Sequence, residues 1–529
     1  MLRRYWPAPA AAAAVVVLLL WGLGRDSSMG NDEVATRWAA SLSLGQLAHL
    51  LRHIDAVHGA YYLLMHVWMM LTGGSPAALR VPSVIAMAAA VALVAIIGRQ
   101  LTGSGWAGLL AGLVTAFTPA VSYYGQTARS YAMVFACVTA STLVLIQALR
   151  CEARGPAAWE PAVPGAAVPA TVAGSGAPGA GSPARSWWLA YGLLIMVSGY
   201  LNELALLVLT AHVVTVLLAR PGWPAIRRWA VAGAVGAVLV APVVIVSSRE
   251  TGAVTWIPRP DATSLLLQYH DYFGPRPLVS AALIICVVAA LLPPLQRGGA
   301  VPAWWRGGVS VPSVAAPLLI LPAALLITES LVARPFYVDR YVLYGEAGAA
   351  LLAGAGLYRI GRWLAAGLRW RPLLAVPGVI VLAVVLVVQL GAQQFDRTPV
   401  SREFDFGGPS RYVGAHARAG DGVLYLGSFF RKASLGYPAD FRKVTDFGLA
   451  VTPRASGTFQ GINKPFSELR PVMLRYPRVW VVGVVPRAGL PSRLMRSESQ
   501  ELLRYFTKAR QEPFHGMAVT LWIRRSPTR

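Results

Sequence analysis

The stretch Gly30-Asn31-Asp32-Glu33, followed by Asp55-Ala56-Val57-His58-Gly59-Ala60-Tyr61-Tyr62, decides how this chain is read. An apolar segment, Ala8–Leu23, ends just before it, and the next apolar run of membrane length begins near Arg80. Asp32, Glu33 and Asp55 therefore share one loop with several histidines at a membrane boundary. Ionisable groups placed there are expensive and mark function by default. A plainer role is compatible with that one: Asp32 caps a helix starting at Val34, and Glu33 favours its dipole.

The composition agrees with a membrane setting. Of 529 residues, 56% are hydrophobic and 13% charged, where a soluble domain carries about 25% charged residues. Long apolar runs with this deficit describe a polytopic helical membrane protein. The formal charge is +24, almost all of it from arginine, since only four lysines occur. On a soluble protein that excess would suggest nucleic acid. Here the arginines flank apolar runs, so they read as topology signals facing anionic membrane lipids, with no nucleic-acid partner. Cys137, Cys151 and Cys286 all lie outside the polar C-terminal part, so no disulfide framework is indicated there. Ala8–Leu23 follows Arg3-Arg4 without a clear small-x-small cleavage site and reads as a retained anchor.

Hydropathy predicts eleven spans, near Ala8–Leu23, Val81–Ile97, Trp106–Val121, Tyr131–Leu149, Trp187–Tyr200, Leu204–Leu218, Trp229–Val246, Leu278–Leu292, Val311–Ile327, Tyr341–Leu357 and Leu373–Leu390. Loops after even-numbered spans are arginine-rich, and those after odd-numbered spans hold the acids, aromatics and prolines. That is the positive-inside pattern for a cytoplasmic N-terminus and an outer C-terminus. Residues 155–183, rich in Pro, Ala, Gly and Ser, read as a disordered cytoplasmic linker. In the first outer loop, Trp38, Leu42, Leu47 and Leu51 predict one amphipathic helix over Val34–Arg52. Tyr61–Leu71 is too short to span and reads as interfacial or re-entrant.

From Gln393 the chain is polar. A helix is expected over Ser410–Ala417, strands over Gly422–Leu426, Arg478–Val482 and Ala518–Ile523, and an amphipathic helix over Ser492–Lys508. The predicted fold class is mainly α: a polytopic domain over 1–392, with an outer catalytic loop at 25–79, then a small extracytoplasmic α/β domain over 393–529.

Arg129, Arg249, Arg259, Arg276, Arg334 and Arg340 fall in outer loops, against the topological bias, and binding of an anion explains them. Arg129 stands in Tyr123-Tyr124-Gly125-Gln126-Thr127-Ala128-Arg129-Ser130-Tyr131, where its planar fork suits a phosphate and the tyrosines suit an interfacial belt. Asn202-Glu203 places an acid in a short outer hairpin, and Arg334-Pro335-Phe336-Tyr337-Val338-Asp339-Arg340-Tyr341 forms a third outer cluster. His49, His53 and His58 have zinc-compatible spacing, but helix-face positions account for them as well, and no metal ligand is assigned. One acidic pair is a thin ligand set, which leaves a divalent ion open.

The order of these motifs resembles glycosyltransferase family 39: an acidic pair in the first outer loop, Asp55-x-x-His58 before a Tyr-Tyr-Leu-Leu-x-His-x-Trp helix, Ala-Leu-Arg80-Val-Pro-Ser, Tyr-Gly-Gln-x-Ala-Arg129-Ser-Tyr131, and a late Asp339-Arg340-Tyr341. The family includes protein O-mannosyltransferases and the lipid A aminoarabinose transferase, and has the GT-C fold. The resemblance is strong over Met29–Leu149 and weaker near the late motif. It implies Asp32 as general base with Glu33 beside it, and Arg129 and Arg340 holding a polyprenyl phosphate. Asp55 joins the catalytic candidates, and His58, Tyr124, Tyr131, Glu203 and Tyr341 complete the expected substrate site. The chain departs from the family's His-Pro-Pro or Lys-Pro-Pro at His58-Gly59-Ala60, which leaves that helix start less rigid.

The resemblance thus implies transfer of a sugar, mannose by default, from a polyprenyl-phosphate donor to a protein, glycolipid or polysaccharide acceptor outside the cytoplasm. No Gly-rich phosphate loop marks a nucleotide site, and no cofactor is expected. A transporter or flippase of lipid-linked sugars is the alternative. It would place charges mid-membrane in paired repeats, and neither is visible in the sequence.

Overall fold

The computed structural model describes residues 6–24, 28–154, 183–250, 255–292, 308–364, 376–484 and 493–525. The proposed linker thus lies outside the described residues, apart from Pro183, which opens a helix. Each of the eleven predicted apolar segments is mostly helical where described, with breaks at Trp21–Leu23, Thr118 and Leu239–Val240. Among the described residues, three helices are long and apolar enough to cross a membrane: Pro76–Thr102, Tyr131–Ala153 and Val311–Val332. The number rises to six if each of three bent pairs is one span.

Proline chemistry produces the bends. Thr118 precedes Pro119 and is forced out of the helical region, to φ −67° and ψ 122°. The helix Gly105–Phe117 therefore turns by 66° into Pro119–Gly125, which redirects the chain toward Arg129. Pro275 and Pro277 stand in the 73° break between Ala262–Phe273 and Pro277–Leu291. The first of these helices lies inside the segment Ser247–Pro277 that sequence reading leaves as a loop; Asp261 caps it by accepting from Ser264 N at 2.9 Å.

Small residues let the helices approach closely. Gly354 of the helix Glu346–Leu364 meets the backbone of Ala111, and Gly356 meets that of Cys286. A side chain at either position would separate the helices it joins.

The predicted single helix Val34–Arg52 is two helices, Asn31–Ala40 and Leu44–Leu51. Ser43 is the reason: its side chain accepts from Gln46 N and starts the second helix anew. Gly59–Thr72 follows; Tyr61, Tyr62 and Met65 are buried, while Leu63, Leu64, Val67, Met70 and Leu71 are exposed.

The C-terminal part holds β1 (Asp421–Leu426), β2 (Val444–Asp446), β3 (Leu449–Val451), β4 (Ile462–Asn463), β5 (Arg478–Gly483), β6 (Phe506–Phe514) and β7 (Met517–Arg524). Five form one sheet in the order β2-β1-β5-β7-β6, with β3 and β4 as a separate pair. β1 pairs in parallel with β2 and β5, whereas β7 is antiparallel to β5 and β6. The predicted helix at Ser492–Lys508 ends at Tyr505, and its last residues begin β6.

Candidate active site

Successive residues on a helix point about 100° apart, and this separates Asp32 from Glu33. Glu33 turns inward and is sealed, at 1% exposure. Arg80 donates to it from Nε (2.8 Å) and Nη2 (2.9 Å), Arg402 from Nη1 (2.8 Å), and the backbone N–H groups of Ala128 and Gly30 each at 3.1 Å. Burial alone would raise its carboxyl pKa; Arg402 and Arg80 outweigh it and hold the group at about 2. Glu33 thereby ties together the helix Asn31–Ala40, the helix beginning at Pro76, the turn before Tyr131 and the C-terminal part.

Asp32 faces the other way, with a side chain 26% exposed. Its Oδ2 accepts from the Tyr131 hydroxyl at 3.0 Å and lies 4.0 Å from Arg340 Nε. Burial pushes its pKa up, but Arg129 and Arg340 more than offset that and hold it well below the carboxylate range.

Arg129 is 5% exposed. Its turn is pinned from three sides: Thr36 Oγ1 donates to Ala128 O (2.9 Å), Ser83 Oγ to Thr127 O (2.7 Å), and Gln126 Nε2 to Leu19 O (2.6 Å). Its Nη1 donates to the Tyr62 hydroxyl at 2.7 Å and its Nη2 to Asp55 Oδ2 at 3.3 Å. Tyr62 also donates to Asp55 Oδ2, at 2.5 Å. The Nε of Arg129 has no partner among the described residues. Asp55 occupies the left-handed region at φ +65°, a conformation a short acidic side chain tolerates. Burial opposes its ionisation, but Arg129 and the hydrogen bond from Tyr62 favour it and lower its pKa. His58 is buried, and its Nδ1 has no partner among the described residues. Burial, reinforced by Arg129, pushes its imidazole down to about 3, so it is neutral.

Arg340 donates from Nε to the Tyr131 hydroxyl at 2.9 Å and lies over the rings of Trp256, Tyr341 and Tyr131, with its Cζ 5.7–5.8 Å from their centroids. Tyr124 packs edge-on against Tyr131, with centroids 5.4 Å apart. Asp32, Asp55, His58, Arg129, Tyr131, Arg340 and Tyr341 are thus brought together, with Tyr124 behind Tyr131. Glu203 stands apart and accepts from Ser247 Oγ at 2.5 Å. Arg249, Arg259, Arg276 and Arg334 are exposed and do not join the cluster. The histidines separate as well: His49 and His53 pack against each other near Ala455, away from His58. Among the described residues no three metal-ligating side chains cluster.

Besides Arg402, two groups near the cluster escape sequence reading. Glu250 accepts from Ala56 N at 3.1 Å, bracing the Asp55 turn. Lys432, from the C-terminal part, is 7% exposed, and Asp55, Asp32 and Arg129 all act on its charge. Nothing in the local sequence of either signals such a position.

Comparison with known proteins supplies the fold's relatives. The structure superposes on ArnT from Cupriavidus metallidurans in the apo state with a TM-score of 0.57, at 13% identity and over 97% of both chains. The chain has the GT-C glycosyltransferase fold. The same protein bound to undecaprenyl phosphate superposes at 0.51, with the same identity and coverage. The oligosaccharyltransferase AglB from Archaeoglobus fulgidus, in complex with an inhibitory peptide and a dolichol-phosphate, gives a TM-score of 0.47 at 10% identity, over 98% of this chain and 74% of that one. Residues 59–169 match the family model for dolichyl-phosphate-mannose-protein mannosyltransferase. That match takes in Tyr124, Arg129 and Tyr131 and ends before Arg340 is reached; Asp32, Glu33 and Asp55 precede it. No curated protein sequence matches the chain.

Proposed function

We propose that this chain is an integral-membrane glycosyltransferase that moves a sugar from a polyprenyl-phosphate donor to an acceptor on the side of the membrane bearing the C-terminal part. The observation that carries the reading is the accessible Asp32 carboxylate beside two cations, Arg340 at 4.0 Å and the buried Arg129, whose Nε has no partner among the described residues. A phosphate leaving group needs cations where its charge develops, and an acceptor needs a base. The undecaprenyl phosphate bound by ArnT supports the lipid class, and the family description supports mannose as the sugar.

The site's electrostatics suggest an order of events. In the free protein Arg129 and Arg340 keep Asp32 ionised but weakly basic. An anionic donor phosphate drawn to the same cations competes for them, so the Asp32 pKa rises and the group becomes a better base once the donor is present. Asp32 then takes the acceptor proton while the phosphate departs onto Arg129 and Arg340. Glu33 acts through Arg80 and Arg402 as a positioning residue. We read the eleven apolar segments as spans, with the N-terminus cytoplasmic and residues 393–529 outside. The comparisons lend no support to a transporter.

Asp32→Asn in the full chain, assayed with a radiolabelled polyprenyl-phosphate sugar, tests the reading. Asn keeps the size and an oxygen that can accept from the Tyr131 hydroxyl but no basicity, so turnover should fall about a hundredfold to ten-thousandfold with donor affinity little changed. Near-normal turnover would leave Asp32 as an acceptor for Tyr131 in the first turn of a helix that Gly30 caps, and reject the base.

A further inference from the structure

Lys432 opens the helix Lys432–Gly436, which follows the turn Ser428–Arg431 and packs on Asn31–Ala40. The approach is close: a Cβ on Gly436 would stand 2.8 Å from Val34 Cγ2. Side chains lock the two segments together. Arg37 donates to Gly436 O, Met29 N donates to the Tyr437 hydroxyl at 2.6 Å, Ser28 donates to Asp405 at 2.5 Å, and Arg402 pairs with Glu33. The position of Lys432 beside the first outer loop is therefore built by the fold.

Its ammonium donates to Asn31 Oδ1 and lies 4.8 Å from the Phe429 ring centroid and 5.4 Å from that of Phe459. An ammonium carries three donors, and among the described residues only Asn31 accepts from it. No carboxylate ion-pairs with it there, although Asp55 and Asp32 both act on its charge. A buried cation without a direct counter-ion is costly to keep. The two aromatic faces compensate in part, and an anion entering beside Asp32 would supply the rest.

We propose that Lys432 is a third cationic contact, alongside Arg129 and Arg340, for the phosphate of the lipid-linked donor, so that the C-terminal part of the chain completes the donor site. This rests on the donor reading given above. It assigns a binding role to the polar region that follows the last apolar helix, and it makes Asn31 the residue that aims the ammonium.

The test is undecaprenyl phosphate binding to the full-length protein in lipid nanodiscs, for wild type, Lys432→Met, Lys432→Arg and Arg129→Ala. A lost charge-assisted contact to phosphate should weaken binding by about tenfold or more in Lys432→Met, and Lys432→Arg should stay within about threefold of wild type. Burial lowers the Lys432 pKa to about 8, so the contact is present below that pH and lost above it. Wild-type affinity should therefore fall between pH 7 and 9, while Lys432→Arg stays flat; a merely structural lysine would not show this difference. Wild-type affinity in Lys432→Met at pH 7, with Arg129→Ala impaired, overturns the role of Lys432 and leaves the donor reading standing. A flat wild-type pH profile also overturns it. A wild-type protein that binds no undecaprenyl phosphate overturns both.

Discussion

Glu33→Gln separates the two members of the acidic pair. Five N–H donors converge on the two Glu33 oxygens, three of them from Arg80 and Arg402. Glutamine keeps one acceptor oxygen and turns an NH2 toward one of the guanidinium groups, leaving buried arginines without their carboxylate. Removing one partner of a buried ion pair costs about 3–5 kcal/mol. The depressed pKa gives a second measure: a fall from the ordinary 4.5 to about 2, at 1.36 kcal/mol for each pH unit, corresponds to about 3 kcal/mol. Because the folded pKa is lowered, this stability is fully present above pH 4.5 and is lost as pH falls through 2. Unfolding of the purified chain in nanodiscs should show Glu33→Gln less stable by about 3 kcal/mol at pH 7. The gap should narrow as the pH falls toward 3. Turnover per folded molecule should drop far less than in Asp32→Asn. A Glu33→Gln protein of wild-type stability that cannot turn over would refute the positioning role and make Glu33 catalytic.

Two further outcomes follow from the packing. His58 is held neutral, with its pKa near 3, so the pH–rate profile of Lys432→Arg, in which Lys432 cannot titrate, should keep its shape between pH 5 and 8 when His58→Gln is added; an inflection near 6.5 that vanishes in the double variant would show that the imidazole titrates. The same shift sets a stability term that is present above pH 6.5 and lost as pH falls toward 3. Gly356→Ala places a Cβ against the Cys286 carbonyl and should lower stability by about 1–3 kcal/mol; an unchanged melting temperature would mean that the helices Glu346–Leu364 and Pro277–Leu291 do not meet there.

Hydropathy made the helical segments legible, because apolar runs are visible without knowing their neighbours. Their lengths and bends were harder: Thr118-Pro119 marks a break in the sequence, but the 66° turn depends on how each half packs. β6 escaped because five of its residues, Thr507–Gln511, are exposed, so no apolar alternation signals a strand, and Pro513 suits its edge position. In the site, Asp32, Arg129 and Arg340 were readable from their motifs. The division between Asp32 and Glu33 was not, since adjacent letters conceal different helix faces. Arg402 and Lys432 lie in a region without a recognisable motif, and their partners are 369 and 401 positions away, beyond the reach of any local pattern.

That distance has a consequence for how the chain is made. Synthesis runs from the N-terminus, so Glu33 emerges long before Arg402 and must wait, with only Arg80 and backbone groups to meet it, until the last apolar helix has been inserted. Arg397 then reaches back to Leu18 O and Trp21 O, and within the next few dozen residues Arg402, Asp405, Lys432 and Tyr437 close onto Met29 and its neighbours. Closing so long a loop is entropically costly and comes late. A nascent or truncated chain ending before residue 402 therefore leaves Glu33 without one of its two arginines, and the packing around Asn31–Ala40 is complete only with the final quarter of translation.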